Sequence, residues 1–364
     1  MTPESERPCF ILGAGFSAAY SMSAPTMYTF LSQAQKVGSF DPEGNHRDLA
    51  HVVTKYFDSF KYCNIEELAN LLLSEPLDPF ADYEHRSKCY QDLLSIITYT
   101  LHNIQNDPRD AAIEKVFEQF AEKLVQKNGT IVTFNYDLLA ETLLMKTKKW
   151  SPRDGYGAEI PTVLQEHTPS NMSRRFESFM ADEPISECLI LKLHGSVSWG
   201  IRRMPAIDGS RSIVQNDWGW FFKEHMPRIH SIADTTSHSG SGLGGVNFFY
   251  DPILIPPQVD KSHHYARPLI KLLWYIAREV LARSNVVYLL GYSMPPSDFE
   301  VRRLLRDAYA WRARSYDRRR WQFRVVDRDP AVADRLRALF EGSDFVEIQH
   351  VGTDICYYLK DIEF

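Results

Sequence analysis

Residues 9–17 of the chain, CFILGAGFS, join a short apolar run to a glycine-rich turn. An apolar run without alternation is typical of a strand buried on both faces of a parallel sheet. Gly13 allows a tight turn, Gly15 lets the backbone come close to a pyrophosphate, and Ala18 fills the small third position of a G-x-G-x-x-G/A fingerprint. The stretch therefore predicts a dinucleotide-binding turn, or else a tight strand-to-helix turn without a ligand.

The composition is that of an ordinary folded protein. The chain has 364 residues, of which 44% are hydrophobic and 24% charged, and its net charge is -6. A mildly acidic chain is a poor candidate for nonspecific binding of nucleic acid. The N-terminus has no apolar signal core, and no run approaches the roughly 18 apolar residues of a membrane span, so we expect a soluble, cytoplasmic protein with no membrane partner.

The cysteines are scattered along the chain. There are five of them, and no C-x-x-C pair occurs. This pattern predicts separate reduced thiols, and it argues against both a disulfide framework and a four-cysteine zinc site. We expect no metal in this protein.

A long helical segment follows the opening turn. Residues 16–24 are expected to form a loop over the site, and Pro25, with Ser23 shortly before it, is expected to begin the first full helix. From there, apolar residues at helical spacing and a cap at Asn64 predict a helical insertion module over residues 40–128.

The rest of the chain alternates strands and helices. The predicted strands are residues 130–134, 188–193, 253–255, 285–290, 322–326 and 345–351. Alternating units with fully apolar strands predict an α/β fold, a Rossmann-like doubly wound parallel sheet with a large helical insertion. Residues 200–250, which include a Gly/Ser stretch, are expected to be an irregular loop or lid region.

Several predicted strands end in residues that suit chemistry. These ends are Gly13-Ala14-Gly15, Asn135-Tyr136-Asp137, His194-Gly195-Ser196, Gly291-Tyr292-Ser293 and Asp327. Each one alone is explained by a helix cap, a turn or packing. Together they favour a binding site, because ligands of doubly wound sheets bind beyond the carboxyl ends of the strands.

The same motifs resemble the sirtuin family in their order and kind. They are GAGFS at 13–17, TFNYD at 133–137, LHG at 193–195 and GYS at 291–293. The chain is more similar to the sirtuin-like branch found as effectors of bacterial anti-phage defence, on the strength of FNYD and KLHGS. The likeness runs from residue 9 to about residue 327. It implies a single sirtuin-like catalytic domain over residues 1–364, with NAD⁺ as the ligand.

The chain departs from the sirtuin deacylases in two ways. Those enzymes carry a zinc module with two C-x-x-C pairs after the catalytic histidine, and this sequence has neither pair. Phe134 stands where the deacylases usually have glutamine beside the catalytic asparagine. The resemblance therefore implies cleavage of NAD⁺, without zinc, more than protein deacylation.

The residue roles follow from the resemblance and from the chemistry of the nicotinamide–ribose bond. Nicotinamide leaves without a general acid, through an oxocarbenium-like transition state, so the protein needs to hold the ribose, stabilise positive charge and place a water. We expect Asn135 to orient the water or the ribose hydroxyls and His194 to accept a proton. Asp137 would hold the nicotinamide amide or stabilise the charge.

The remaining contacts are assigned to the other end of the dinucleotide. Residues Gly13, Ala14, Gly15, Phe16 and Ser17 are expected to line the pyrophosphate. The turn at Gly291 with Ser293 and Asp327 is expected to meet the adenosine ribose, where an acidic side chain favours NAD⁺ over NADP⁺.

The leading hypothesis is an NAD⁺ glycohydrolase that depletes NAD⁺ during anti-phage defence. Such an activity needs control, which we expect from a partner protein of ATPase or nucleic-acid-binding type, or from assembly into a homo-oligomer. One alternative is an NAD-dependent protein deacylase or ADP-ribosyltransferase. The other is a non-catalytic subunit that binds NAD or ADP-ribose.

Overall fold

A computed structural model describes most of the chain. The described residues are 7–61, 63–74, 83–104, 108–152, 154–158, 162–164, 186–204, 213–223, 226–230, 249–255, 268–295, 298–314 and 319–363.

The strands and helices within these ranges are as follows. The strands are β1 (Cys9–Leu12), β2 (Thr130–Thr133), β3 (Thr162–Leu164), β4 (Leu189–Lys192), β5 (Gly195–Met204), β6 (Ile213–Lys223), β7 (Met226–His230), β8 (Phe249–Leu254), β9 (Val286–Leu290), β10 (Trp321–Val326) and β11 (Val346–Gly352). The helices are α1 (Ala14–Tyr20), α2 (Phe30–Lys36), α3 (Arg47–Phe57), α4 (Ile65–Leu73), α5 (Tyr83–Asn103), α6 (Ala111–Gln126), α7 (Leu139–Lys146), α8 (Pro268–Arg283), α9 (Phe299–Arg314), α10 (Ala331–Leu339) and α11 (Ile355–Asp361).

The main sheet has six strands in the order β11-β10-β9-β1-β2-β4. Every neighbouring pair in it is parallel. Counted along the chain, these strands lie in the order 3-2-1-4-5-6, which is that of a doubly wound Rossmann sheet. The predicted fold class is confirmed, and the order reverses between β1 and β9, where such sheets bind their ligands.

A second sheet was not predicted. It has five strands, in the order β3-β6-β5-β8 with β7 paired to β6. The expectation of an irregular region over 200–250 is therefore wrong where β5, β6, β7 and β8 lie, although residues 231–248 fall outside the described residues. The run 253–255, expected in the parallel sheet, instead ends β8, which pairs antiparallel with β5. Antiparallel pairing between strands about 50 residues apart leaves little local signal in a sequence.

The helices of the insertion begin and end largely as predicted. The side chain of Asn64 accepts a hydrogen bond from the Glu66 N–H at 2.8 Å and caps α4. Asn128, with a positive φ of 51°, and Gly129 follow the end of α6. Helices α3 to α6 lie between residues 47 and 126, while the boundary of a separate module at 40–128 stays a prediction.

The start of the helical region differs from our expectation. Residues 16–24 are not one loop, because α1 occupies residues 14–20 directly after the glycine turn. The first turn of α1 has no side-chain cap and no acidic residue, so the usual start signals are missing. The next helix begins at Phe30 rather than near Pro25, and residues 21–29 connect the two.

Aromatic packing fixes the centre of the sheet. Phe10 of β1 stacks on Tyr288 of β9 with ring centroids 4.6 Å apart and meets Phe120 of α6 edge-on at 5.0 Å. All five cysteines are free, as predicted, and burial raises the pKa of Cys9 to about 12. No helix in the described part combines the length and apolar character that a membrane crossing requires.

Candidate active site

The β1–α1 turn lies against the turn that follows β9. The Gly15 N–H donates to the Gly291 carbonyl at 2.9 Å, and the Gly13 N–H donates to the Leu290 carbonyl at 3.2 Å. A Cβ on Gly13 would lie 2.5 Å from the Gly291 oxygen, and one on Gly15 would lie 2.7 Å from the Gly291 Cα. The close approach of the Gly291 backbone therefore requires glycine at both positions, whether or not a pyrophosphate also binds there.

Three side chains from β1–α1 and the end of β2 form one hydrogen-bonded chain. The Asn135 Nδ2 donates to the Ser17 Oγ at 3.1 Å, and the Ser17 hydroxyl donates to the Asp137 Oδ2 at 2.6 Å. The other carboxylate oxygen of Asp137 accepts from the Leu139 N–H at 3.1 Å. The sequence motifs GAGFS and FNYD are thus joined directly, through side chains about 120 residues apart.

The orientation of the Asn135 amide is fixed by these contacts. Its Nδ2 also donates to the Gly13 carbonyl at 2.9 Å, which uses the second amide hydrogen. Its backbone N–H donates to the Thr133 Oγ1 at 3.1 Å. The Asn135 Oδ1 is consequently the atom of this amide that can accept a hydrogen bond from a water or a hydroxyl group.

A cavity opens beside this chain and encloses about 780 Å³ of space, part of it open to solvent. Ser17, Asn135 and Asp137 supply its polar wall. Its apolar wall comes largely from the helical region and from residues 21–29, and it includes Ala24, Pro25, Met27, Phe30, Ile65, Leu101 and Ile104. An apolar lining and a few converging polar groups are the usual features of a small-molecule site.

His194 lies behind Phe134. It follows β4, is only 5% exposed, and its ring centroid is 5.1 Å from that of Phe134 and 6.4 Å from that of Trp274. Phe134 and Asn135 are among the described residues that line the cavity, and His194 is not. The structure therefore places the predicted histidine next to the cavity wall, one aromatic ring away from Asn135.

The two residues expected at the adenosine ribose lie at the ends of β9 and β10. The Ser293 carbonyl accepts from the Arg335 guanidinium at 2.8 and 3.2 Å. The same guanidinium pairs with Asp329 at 2.8 Å, and this contact lowers the pKa of the Asp329 carboxyl. The Asp327 carboxylate accepts from the Asp329 N–H at 2.9 Å. Arg335 therefore adds a positive charge near the predicted adenosine-ribose position, where Asp327 was the charged residue predicted.

The expected roles of Phe16 and Ser17 need revision. Phe16 is 1% exposed and its ring packs on Phe117 and Phe120, at centroid distances of 4.9 and 5.9 Å. Its side chain belongs to the core, so a ligand contact by Phe16 would come from its backbone, and that contact stays a prediction. The Ser17 hydroxyl contacts Asn135 and Asp137 instead of a pyrophosphate group, and a ligand contact by Ser17 stays a prediction.

Sequence reasoning missed a buried ion pair beneath the site. The Lys192 Nζ lies 2.9 Å from the Glu141 Oε1, and the two side chains are 1% and 0% exposed. Lys192 also donates to the Asp137 backbone carbonyl, and the Tyr156 hydroxyl donates to the Glu141 Oε1 at 3.2 Å. Burial raises the pKa of Glu141, and the charge of Lys192 opposes this rise. The available signal was a lysine in the otherwise apolar run LILKL.

In the ranges given above, no three His, Cys, Asp or Glu side chains lie close enough together to hold a metal ion.

Comparisons with known proteins identify similar structures but no family. No protein-family model and no curated protein matches the chain. Similar solved structures include one on the mechanism and regulation of Sir2 enzymes, at 12% identity and a TM-score of 0.40, covering 98% of this chain and 89% of that one. A complex of a Sir2 homologue with NAD has 13% identity and a TM-score of 0.39, covering 98% and 88%. A complex of a mutant Sir2 homologue with ADP-ribose has 11% identity and a TM-score of 0.40, covering 99% and 92%.

Proposed function

We propose that this protein is an NAD⁺ glycohydrolase that cleaves the nicotinamide–ribose bond to nicotinamide and ADP-ribose. The observation that carries the proposal is the Asn135–Ser17–Asp137 chain on the wall of a cavity beside the β1/β9 switch point. An amide and a carboxylate held together in this way suit the cleavage of a glycosidic bond. They have no evident use in hydride transfer, the other common reaction of dinucleotide sites.

Cleavage of the nicotinamide–ribose bond needs little acid–base catalysis at the leaving group. Nicotinamide in NAD⁺ carries the positive charge, which moves to the ribose C1′ and ring oxygen as the bond breaks. A carboxylate near that carbon stabilises the charge as it develops, and Asp137 occupies the cavity wall with its two oxygens anchored by Ser17 and Leu139. Because its hydrogen bonds are already formed, little reorganisation is required in the transition state.

Asn135 would place the attacking water or the ribose hydroxyls. Its two amide hydrogens are held by Gly13 and Ser17, so the Oδ1 is presented as a fixed acceptor. Water that donates one hydrogen to this oxygen has its lone pair free to attack C1′. Fixing a nucleophile in this way converts a bimolecular step into a nearly unimolecular one.

His194 would accept the proton that the water or a ribose hydroxyl loses. The imidazole lies beside Phe134, and Phe134 lines the cavity. A modest turn of the Phe134 ring on substrate binding would bring the imidazole into reach, and catalytic contacts often tighten only when substrate is bound.

The other half of NAD⁺ would extend from the β1–α1 turn across the switch point. In this arrangement Gly13, Ala14 and Gly15 approach the pyrophosphate, and Ser293 and Asp327 approach the adenosine ribose. The direct contact between the Gly15 and Gly291 backbones supports a continuous path from one half to the other.

The decisive experiment is mass spectrometry of NAD⁺ incubated with the purified chain. We expect free nicotinamide and ADP-ribose, and we expect Asn135→Ala to lower the rate about 100-fold or more. His194→Ala should also abolish most turnover. Unchanged turnover in both variants would remove the site assignment, even if the wild-type protein cleaves NAD⁺.

The same assay separates the alternatives. Nicotinamide release that requires an acylated peptide would indicate a deacylase, and transfer of mass to an added protein would indicate an ADP-ribosyltransferase. Binding of NAD⁺ or ADP-ribose by calorimetry, with no nicotinamide released, would indicate a non-catalytic subunit.

An enzyme that consumes NAD⁺ freely is toxic to its own cell, so the proposal includes control. We assign this control to a regulatory partner of ATPase or nucleic-acid-binding type, or to assembly into a homo-oligomer, in the setting of anti-phage defence. Turnover that rises with protein concentration would support assembly. Turnover that appears only with a second protein would support a partner.

A further inference from the structure

A buried pair of opposite charges lies directly under the site. Lys192 ends β4 and Glu141 lies in the first turn of α7, and both side chains are out of contact with solvent. The Lys192 ammonium contacts two oxygens, the Glu141 Oε1 at 2.9 Å and the Asp137 backbone carbonyl. The ion pair is therefore attached to the segment that carries Asn135 and Asp137.

The pair is part of a longer polar path toward the second sheet. The Tyr156 hydroxyl donates to the Glu141 carboxylate at 3.2 Å, and the Ser198 side chain lies close to the same hydroxyl. The Ser198 and Ser196 hydroxyls are 3.0 Å apart, and both are buried. This path links the end of β2 to the start of β5, which directly follows His194.

Stability alone does not explain a buried pair at this position. Removing two charges from water carries a large desolvation cost, and apolar residues of similar size often replace buried ion pairs with no loss of stability. What apolar residues cannot supply is a charged donor aimed at a backbone carbonyl. Lys192 supplies one at Asp137, between the site carboxylate and the start of α7.

We infer that Lys192, held by Glu141, is a positioning residue for the reaction: it fixes the backbone at Asp137 and so keeps the Asn135 amide and the Asp137 carboxylate in their reactive arrangement. This inference rests on the function proposed above. Lys192 does not touch the substrate and acts only through the segment it holds.

The test compares variants that separate stability from positioning. The double variant Lys192→Met/Glu141→Leu removes both charges together, and Tyr156 keeps its contact with Ser198. We expect its melting temperature to equal or exceed that of the wild type. We also expect its kcat for nicotinamide release to fall about 10- to 100-fold, the usual effect of a small misplacement of reacting groups. The KM for NAD⁺ should stay within about threefold, because the adenosine half is bound elsewhere.

Two further variants keep the inference testable if the double variant folds poorly. Glu141→Gln keeps an oxygen that can accept from Lys192 and leaves Lys192 able to donate to the Asp137 carbonyl, so it should lose stability, because a buried charge is left unpaired, but retain most of the wild-type kcat per folded molecule. Lys146→Met removes an exposed ion pair on the same helix, with Glu114 and Glu118 at 2.6 and 2.7 Å, and should change neither kcat nor KM. A fall in kcat with Glu141→Gln, or wild-type kcat in the double variant, would overturn the positioning role.

A readout independent of turnover distinguishes this inference from the proposed function. The Leu139 N–H donates to the Asp137 carboxylate, so its hydrogen exchange reports whether that segment keeps its geometry. We expect faster exchange over residues 134–139 in the double variant and unchanged exchange in Lys146→Met. If the wild-type chain releases no nicotinamide, the proposed function fails, and this exchange still decides the inference: equal exchange in the double variant and the wild type would refute it.

Discussion

Replacing Gly291 with alanine should damage both the fold and the site, because two turns meet at this residue. Gly291 has a φ of +63°, and a Cβ there would lie 2.5 Å from the Gly15 carbonyl carbon and 2.5 Å from the Phe16 nitrogen. The left-handed conformation alone costs an alanine about 1–2 kcal/mol. Forcing two packed backbones apart adds about 1–3 kcal/mol. We therefore expect Gly291→Ala to lower the free energy of unfolding by about 2–5 kcal/mol.

Gly342 provides a matched control for the conformational part of this cost. It also has a positive φ, +81°, but no heavy atom lies within 4 Å of the position its Cβ would take. Gly342→Ala should therefore lose only the left-handed cost of about 1–2 kcal/mol. The gain from a stiffer unfolded chain is common to the two variants and cancels in the comparison.

The assay is urea unfolding of both variants, followed by fluorescence and circular dichroism, together with nicotinamide release under native conditions. Displacing the β1–α1 turn moves Ser17, which holds Asn135 and Asp137, so Gly291→Ala should also lose turnover while Gly342→Ala keeps it. Equal destabilisation in the two variants would refute the close-approach argument. A strongly destabilised Gly291→Ala with normal turnover in its folded fraction would refute the link to the site.

Two other substitutions each remove the charge of one carboxylate, Asp329 in one variant and Asp92 in the other. Asp329→Asn should free the Arg335 guanidinium from its 2.8 Å ion pair. Because an arginine without an acidic partner can bind a 2′-phosphate, we expect kcat/KM for NADP⁺ to rise roughly tenfold relative to that for NAD⁺. An unchanged ratio would place the adenosine ribose elsewhere. Burial raises the pKa of Asp92 against the opposing charges of His46 and Lys88, so its ionised form weakens the folded state above that pKa. Asp92→Asn should therefore raise the melting temperature at neutral pH, and the gain should fade as the pH falls below about 4, where the carboxyl becomes protonated in the unfolded chain as well as in the folded state. A gain that is independent of pH would show that the charge is not its cause.

The parallel sheet could be predicted because its strands are marked locally. The runs at β1, β2, β4 and β9 are largely apolar and four or five residues long, and helical periodicity follows most of them. Burial on both faces requires such runs, so the sequence carries the signal directly. The order of the strands has no such mark, since it depends on contacts between residues far apart.

The second sheet could not be predicted for a related reason. Its strands pair mainly antiparallel, and β5 and β8 are about 50 residues apart in the chain. Helix α1 was missed for a different reason, because Gly13 caps it without a side-chain hydrogen bond and so gives no helix-start signal in the sequence. A short uncapped helix that begins inside a glycine fingerprint is easily taken for a loop.

The polar side chains of the candidate site could be predicted from the sequence, but the buried ion pair beneath them could not. Strand-end positions predicted Asn135, Asp137 and His194, because the carboxyl ends of parallel strands meet at one edge. The structure joins Asn135 to Asp137 through Ser17, and it places His194 outside the described lining of the cavity. Lys192 and Glu141 lie in apolar runs, and each alone is an isolated charge on a buried element. Only the pairing of β4 with β2, and the packing of α7 beneath them, brings the two charges together under Asp137.

The sheet order gives the opening glycine turn a second role. Because β1 lies between β2 and β9, its carboxyl end contacts the Asn135 side and the Gly291 side at the same time. Gly13 does both: its carbonyl accepts from the Asn135 amide, and its Cα faces the Gly291–Tyr292 backbone. A side chain at Gly13 would have to displace the Gly291–Tyr292 segment. The fingerprint is thus also a mechanical link between the turn after β9 and the segment that carries Asn135, and movement at that turn should be transmitted to Asn135 through Gly13 and Ser17.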